Sequence, residues 1–154
     1  DVKSAMKLID LMELSRIPVR TIGWGSVSSA ALLIFMCGKQ RLLAPNSQVL
    51  THQATLNVGG MSAKIVDFES QQKEFRNICD RIVKIYNKHT GMSEKEINNK
   101  VMRHHDVWLN AEQAIAFGMG DDTLDNHRDV FWELIAGQPD PIDDEELEEL
   151  EEVA

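Results

Sequence analysis

Residues 23–38, GWGSVSSAALLIFMCG, constrain the fold more than any other stretch of this 154-residue chain. The first half carries almost no side chain: Gly23, Gly25, Ser26, Ser28, Ser29, Ala30 and Ala31 let backbones approach closely. The second half is a continuous apolar run from Leu32 to Cys37, closed by Gly38 and too short to span a membrane. Together they read as a tight turn feeding a buried helix. Ser29 then falls at the helix mouth, where the backbone N–H groups that follow it have no partner inside the helix and the dipole favours negative charge. Such donors can hold an oxyanion beside a serine nucleophile. The same residues also suit an N-cap serine among small packing side chains, and this stretch alone leaves both readings open.

The length suits one ordinary domain, and an apolar content of 43% suits a globular core. A net charge of −9 argues against nucleic acid or an anionic membrane as partner. Much of the excess sits at the end: nine acidic residues lie between Asp140 and Glu152 with no basic residue among them. Residues 1–136 are therefore expected to form the domain and 137–154 a disordered acidic tail. Cys37 and Cys79 have no metal-ligand spacing and read as reduced core residues, which fits a cytoplasmic protein. Neither a signal peptide nor a transmembrane segment is visible.

In chain order, residues 2–14 place Val2, Ala5, Met6, Leu8, Ile9, Met12 and Leu14 at helical spacing, and the helix must end before Pro18. Residues 18–22 (PVRTI) read as a strand, 41–44 as a short strand, and 48–51 (QVLT) as a strand that delivers His52. Strand, helix, strand is the alternation of a parallel sheet with packed helices. A helical pattern with Ile65, Phe68, Phe75, Ile78, Ile82, Ile85 and Tyr86 on one face covers 61–89, stopped by Thr90-Gly91. Ser93 and Glu96 form a capping-box pattern. Residues 107–109 read as a strand, Asn110 as the cap of a helix through Phe117, and a last short helix runs towards Trp132 and Leu134.

Ser29, His52 and Asp106 stand out as a possible constellation. Serine attack on an acyl carbonyl needs a base for its proton and a carboxylate to orient that base. Spacing does not select them. His89, His104, His105 and His127 occupy polar surroundings that read as solvent-exposed, and Asp106 fits a plain loop carboxylate equally well.

GSVSSAALLIFMCG, LLAPNSQVLTHQ, KHTG and DVWLNAEQAIAFGMGD, in that order, resemble four segments of the ClpP family. These are its nucleophile helix, its Pro-Asn-Ser strand with His-Gln, the end of its handle helix, and its Asp-x-aromatic-Leu-x-Ala segment. The resemblance covers about two thirds of the chain and implies a ClpP/crotonase-like α/β fold with a parallel sheet, packed helices and a protruding handle helix. It assigns Ser29 as nucleophile, His52 as base and Asp106 as orienting acid; of the neighbouring serines, only Ser29 keeps the family's distance to Gly38. The Ala30 N–H would be an oxyanion donor, and Gly59-Gly60 would begin a backbone edge on which an extended substrate pairs.

The implied activity is that of a serine endopeptidase subunit in homo-oligomeric rings, with polypeptide substrates, no metal or cofactor, and ATP used only by a partner AAA+ unfoldase. The family's earlier strands, whose Gly-Gly pair supplies a second oxyanion donor, would precede Asp1, so the chain reads as truncated. Departures include Ser28 and Ala30 around the serine, His105 where the family often has arginine, and the acidic tail. Two alternatives share the fold: an inactive ring scaffold with a vestigial triad, and a crotonase-type acyl-CoA enzyme, which has no reason to place these three residues at matched positions.

Overall fold

A computed structural model of the protein describes residues 1–55 and 65–136. Helix α1 (Val2–Leu14) has the expected bounds and starts on a side-chain cap, with Asp1 Oδ1 accepting from the Ser4 N–H at 3.0 Å. Strand β1 (Arg20–Gly23) leads into β2 (Ser26–Ser28), then α2 (Ala30–Met36), β3 (Gln40–Leu43) and β4 (Gln48–Thr51). Helix α3 spans Ile65–Thr90, about 39 Å at 1.5 Å per residue, and Gly91 at φ 71° ends it. The capping box of Ser93 and Glu96 forms as expected and starts the one-turn helix α4 (Glu94–Glu96), which widens into a π-helical turn, Ile97–Val101. Strand β5 (Val107–Asn110), helix α5 (Ala111–Ala116), the two-residue strand β6 (Asp122–Thr123), a 3-10 turn (Leu124–His127) and α6 (Arg128–Ala136) follow.

The strands form two sheets where the sequence suggested one. In the first, β1 and β6 flank β3, all parallel; in the second, β4 runs parallel to β2 and antiparallel to β5. The division arises because both paths turn one corner together. Between β1 and β2 the chain passes through Gly25 at φ 66°, a conformation that disfavours side chains, and between β3 and β4 it passes through Pro45. Hydrogen bonds stitch the corner: the Gly23 carbonyl accepts from the Ala44 N–H and the Ser47 hydroxyl, both at 2.9 Å, and the Gly25 carbonyl from the Gln48 N–H at 2.7 Å. The turn expected at residues 23–28 is therefore partly a strand.

Helix α2 lies at the centre. Leu32, Leu33, Phe35 and Met36 are buried and pack with Ile9 of α1, Ile82 and Tyr86 of α3, Ile97 and Val101 of the π turn, and Ala111 and Ala114 of α5. Gly38 is required where α2 turns towards β3, since a Cβ there would stand 2.1 Å from Thr21 Oγ1. A smaller core joins Leu42, Leu124 and Val130, beside which Phe131 of α6 stacks on Trp24 at 5.4 Å. Among the described residues no helix is long and apolar enough to cross a membrane.

Candidate active site

The β2-β4-β5 sheet gathers the three expected residues at one end. Ser28 pairs with Leu50, and the next residue along, Ser29, donates its N–H to the Leu50 carbonyl at 3.0 Å. Thr51 pairs with Val107, the last pair of the antiparallel ladder, so His52 and Asp106 are the residues one step beyond it. The three residues are 23 and 54 positions apart along the chain, and one parallel and one antiparallel register bring them to the same end.

Ser29 is held in an unusual backbone conformation, φ 53° and ψ −117°, and is the one non-glycine residue with positive φ among the described residues. Strain of this kind collects where a side chain must be aimed. Its carbonyl accepts from the N–H groups of Leu32 and Leu33, at 3.1 and 3.3 Å, which opens α2. Its hydroxyl makes no capping bond, so Ser29 is the N-cap by position while the hydroxyl is not used for capping. The Ala30 N–H precedes the first intrahelical donors. Ser26 and Ser28 instead share a hydrogen bond between hydroxyls, 2.8 Å long.

His52 is half-buried, and its Nδ1 lies 2.6 Å from the Gln53 carbonyl, whereas Asp106 is exposed. Among the described residues no hydrogen bond joins Ser29, His52 and Asp106: the ladder brings the positions together without linking the side chains. The residue before His52 is fixed from below, the buried Thr51 hydroxyl donating to the Val101 carbonyl at 2.7 Å. Next to Asp106, the rings of His104 and His105 meet edge to face at 4.7 Å. A cleft of about 270 Å³ begins at Gln53 and Ala54 and is walled by Phe75, Cys79 and Met102. Gly59 and Gly60, and the acidic tail, lie outside the described residues.

Three side-chain environments are not legible in the sequence. Arg41 of β3 donates to both oxygens of Asp121, through its backbone N–H at 2.8 Å and Nε at 3.1 Å, and also through Nη2, while Nη1 reaches the carbonyls of His89 and Gly118 at 3.3 and 2.9 Å. That guanidinium, through its side-chain bond above all, holds the Asp121 carboxyl below its ordinary range. The motif segment ending in Asp121 contained this partner but nothing in it named Arg41. His89 departs from the sequence expectation of a solvent-exposed ring: Nε2 is buried because α1, α2 and α3 end around it. His127 departs from the same expectation, being half-buried with Nε2 3.1 Å from Asp122 Oδ2.

The family model for Clp protease matches residues 1–127. The chain is similar to ATP-dependent Clp protease proteolytic subunit 2 of Treponema denticola, 30% identical over 132 residues that cover 84% of this chain and 64% of that protein. It is similar to the ATP-dependent Clp protease proteolytic subunits of Deinococcus radiodurans, 29% identical over 131 residues covering 84% and 62%, and of Paracoccus denitrificans, 33% identical over 120 residues covering 77% and 58%. The chain thus spans less than two thirds of the length of these curated relatives.

Proposed function

The chain belongs to the Clp protease family, and from that premise we propose that it is a serine endopeptidase subunit acting through Ser29, His52 and Asp106. Ser29 Oγ attacks the peptide carbonyl, His52 takes the hydroxyl proton and returns it to the leaving amine, and Asp106 stabilises the imidazolium. For that, His52 exchanges the Gln53 carbonyl for Asp106 across the open end of the β4-β5 ladder. The Ala30 N–H faces the developing oxyanion, a donor of a kind whose loss costs on the order of a hundredfold in rate. The observation that carries this reading is the positive φ of Ser29 with its hydroxyl not engaged in capping α2.

An extended polypeptide would pair along the edge beginning at Gly59-Gly60, with a side chain in the cleft at Gln53. Assembly into homo-oligomeric rings is supported by α1, where Leu8, Leu11 and Leu14 are 44%, 67% and 82% exposed on one stripe, and by Phe68 near the start of α3, 52% exposed. A second copy of the chain is the natural cover for both. Substrates would be delivered by an AAA+ unfoldase, in a cytoplasm that keeps Cys37 and Cys79 unpaired.

A fluorophosphonate probe tests the reading. Labelling of the assembled protein is expected at Ser29 and is lost in Ser29→Ala, while Ser26→Ala and Ser28→Ala retain most of it. An assembled protein that never labels would identify an inactive scaffold subunit instead.

A further inference from the structure

Three helices end at one place. Glu13 lies in the last turn of α1, Cys37 is the C-terminal cap of α2, and His89 is the penultimate residue of α3. One carboxylate oxygen, the Sγ and one ring nitrogen of these residues lie within 4.8 Å of one another. His89 Nε2 is buried without a hydrogen-bond partner among the described residues, 4.0 Å from Glu13 Oε1. Buried polar atoms left in this state are rare in folded proteins and call for a physical reason. We propose that Glu13, Cys37 and His89 form a site for a divalent cation of the zinc class, with a fourth position open to water.

The donor set selects the ion. Thiolate, imidazole and carboxylate are the ligands zinc takes, whereas magnesium and calcium require oxygen throughout. Bonds of about 2.0–2.3 Å in a tetrahedron put donor atoms roughly 3.3–3.8 Å apart, so the side chains close by at most about 1.5 Å to bind. The surrounding field also suits a cation, because each helix presents its negative end there. Two positive groups oppose it. Lys88 Nζ is 2.6 Å from Glu13 Oε1, but its side chain is 59% exposed and can swing into solvent on a flexible stem. Arg41 is occupied by Asp121 and by the His89 and Gly118 carbonyls.

Protonation sets the balance. Burial first, and then the cations of Lys88 and Arg41, lower the pKa of His89, so its ring is neutral and able to ligate. Burial and Glu13 push the Cys37 thiol up to about 11, so binding must release that proton to water. A cleft of about 550 Å³ lined in part by Glu13, Lys39 and Lys88 gives access. A bound ion would clamp the end of α2 opposite Ser29, which makes these residues a structural brace.

Cobalt(II) is the direct probe. Titrated into the full chain, it is expected to bind once, with intense tetrahedral d–d absorption and a thiolate-to-cobalt charge-transfer band, both displaced by zinc. Zinc should also raise Tm. Cys37→Ser should abolish the charge-transfer band and weaken zinc binding about tenfold or more, as should His89→Gln, with a smaller loss in Glu13→Gln. Cys79→Ser and a His104→Gln/His105→Gln double variant should bind as the wild type does. If Cys37→Ser fails to fold, the band's persistence in Cys79→Ser still assigns it to Cys37. A weak octahedral spectrum without charge transfer in the wild-type chain, or a band that survives Cys37→Ser, overturns the site.

Discussion

Thr51 and Val107 face each other as the outermost pair of the β4-β5 ladder, and the Thr51 hydroxyl reaches down to the Val101 carbonyl at 2.7 Å. The residue that precedes His52 is therefore fixed both across the sheet and against the π turn beneath it. Thr51→Val keeps the shape but removes the donor, leaving a buried carbonyl unsatisfied. We expect a loss of about 1–3 kcal/mol in urea unfolding, accompanied by slower fluorophosphonate labelling. Unchanged labelling would show that this bond does not position His52.

The Arg41–Asp121 pair makes stability depend on pH. Asp121 has a depressed folded pKa, so its contribution is present above the ordinary aspartate value of about 3.9 and is lost as pH falls through the folded value. Asp121→Asn should cost about 1 kcal/mol at neutral pH, a figure reduced for the partial exposure of the carboxylate. The gap between variant and wild type should narrow below about pH 4. A gap constant down to pH 2 would contradict this origin.

Gly38→Ala is expected to destabilise the fold by about 1–3 kcal/mol, because the new Cβ would overlap the Thr21 side chain. Thr21 cannot simply turn away, since its hydroxyl donates to the Phe35 carbonyl at 2.7 Å. Thermal melts of the single variant decide it; an unchanged Tm would mean that β1 yields.

The stripe on α1 separates assembly from folding. Leu11→Glu with Leu14→Glu touches side chains 67% and 82% exposed, so subunit stability should shift by no more than about 0.5 kcal/mol. Sedimentation velocity should nevertheless show smaller species at micromolar concentration. Identical sedimentation of variant and wild type would remove α1 from the interface.

The parts of this architecture legible in the sequence were those written in local pattern. The bounds of α1, the strand at 48–51, and the caps at Ser93 and Asn110 follow from periodicity and capping chemistry, which act over three or four residues. Strand β2 was hidden because Ser26, Val27 and Ser28 show no apolar run, and only Val27 is buried. Strand β6 has two residues and exists by pairing with β3. The candidate site residues became visible through the family segments, because no local signal states that Ser29, His52 and Asp106 lie at one end of a shared sheet. The enclosure of His89 was illegible for the same reason: Lys88 beside it reads as surface, and the walls come from helices 52 and 76 positions away in the chain.

The backbone at Ser29 also bears on how such a chain changes over time. A positive φ with ψ near −117° disfavours any residue with a Cβ, so serine there keeps the fold on the order of 1 kcal/mol below what glycine would allow. The main-chain bond to Leu50 would survive that replacement, because it uses no side-chain atom. A lineage with no use for the hydroxyl would thus find a downhill path to glycine, with no compensating change elsewhere. Retaining serine means staying off that path, and in a descendant the identity of this one residue would record whether the hydroxyl was still in use.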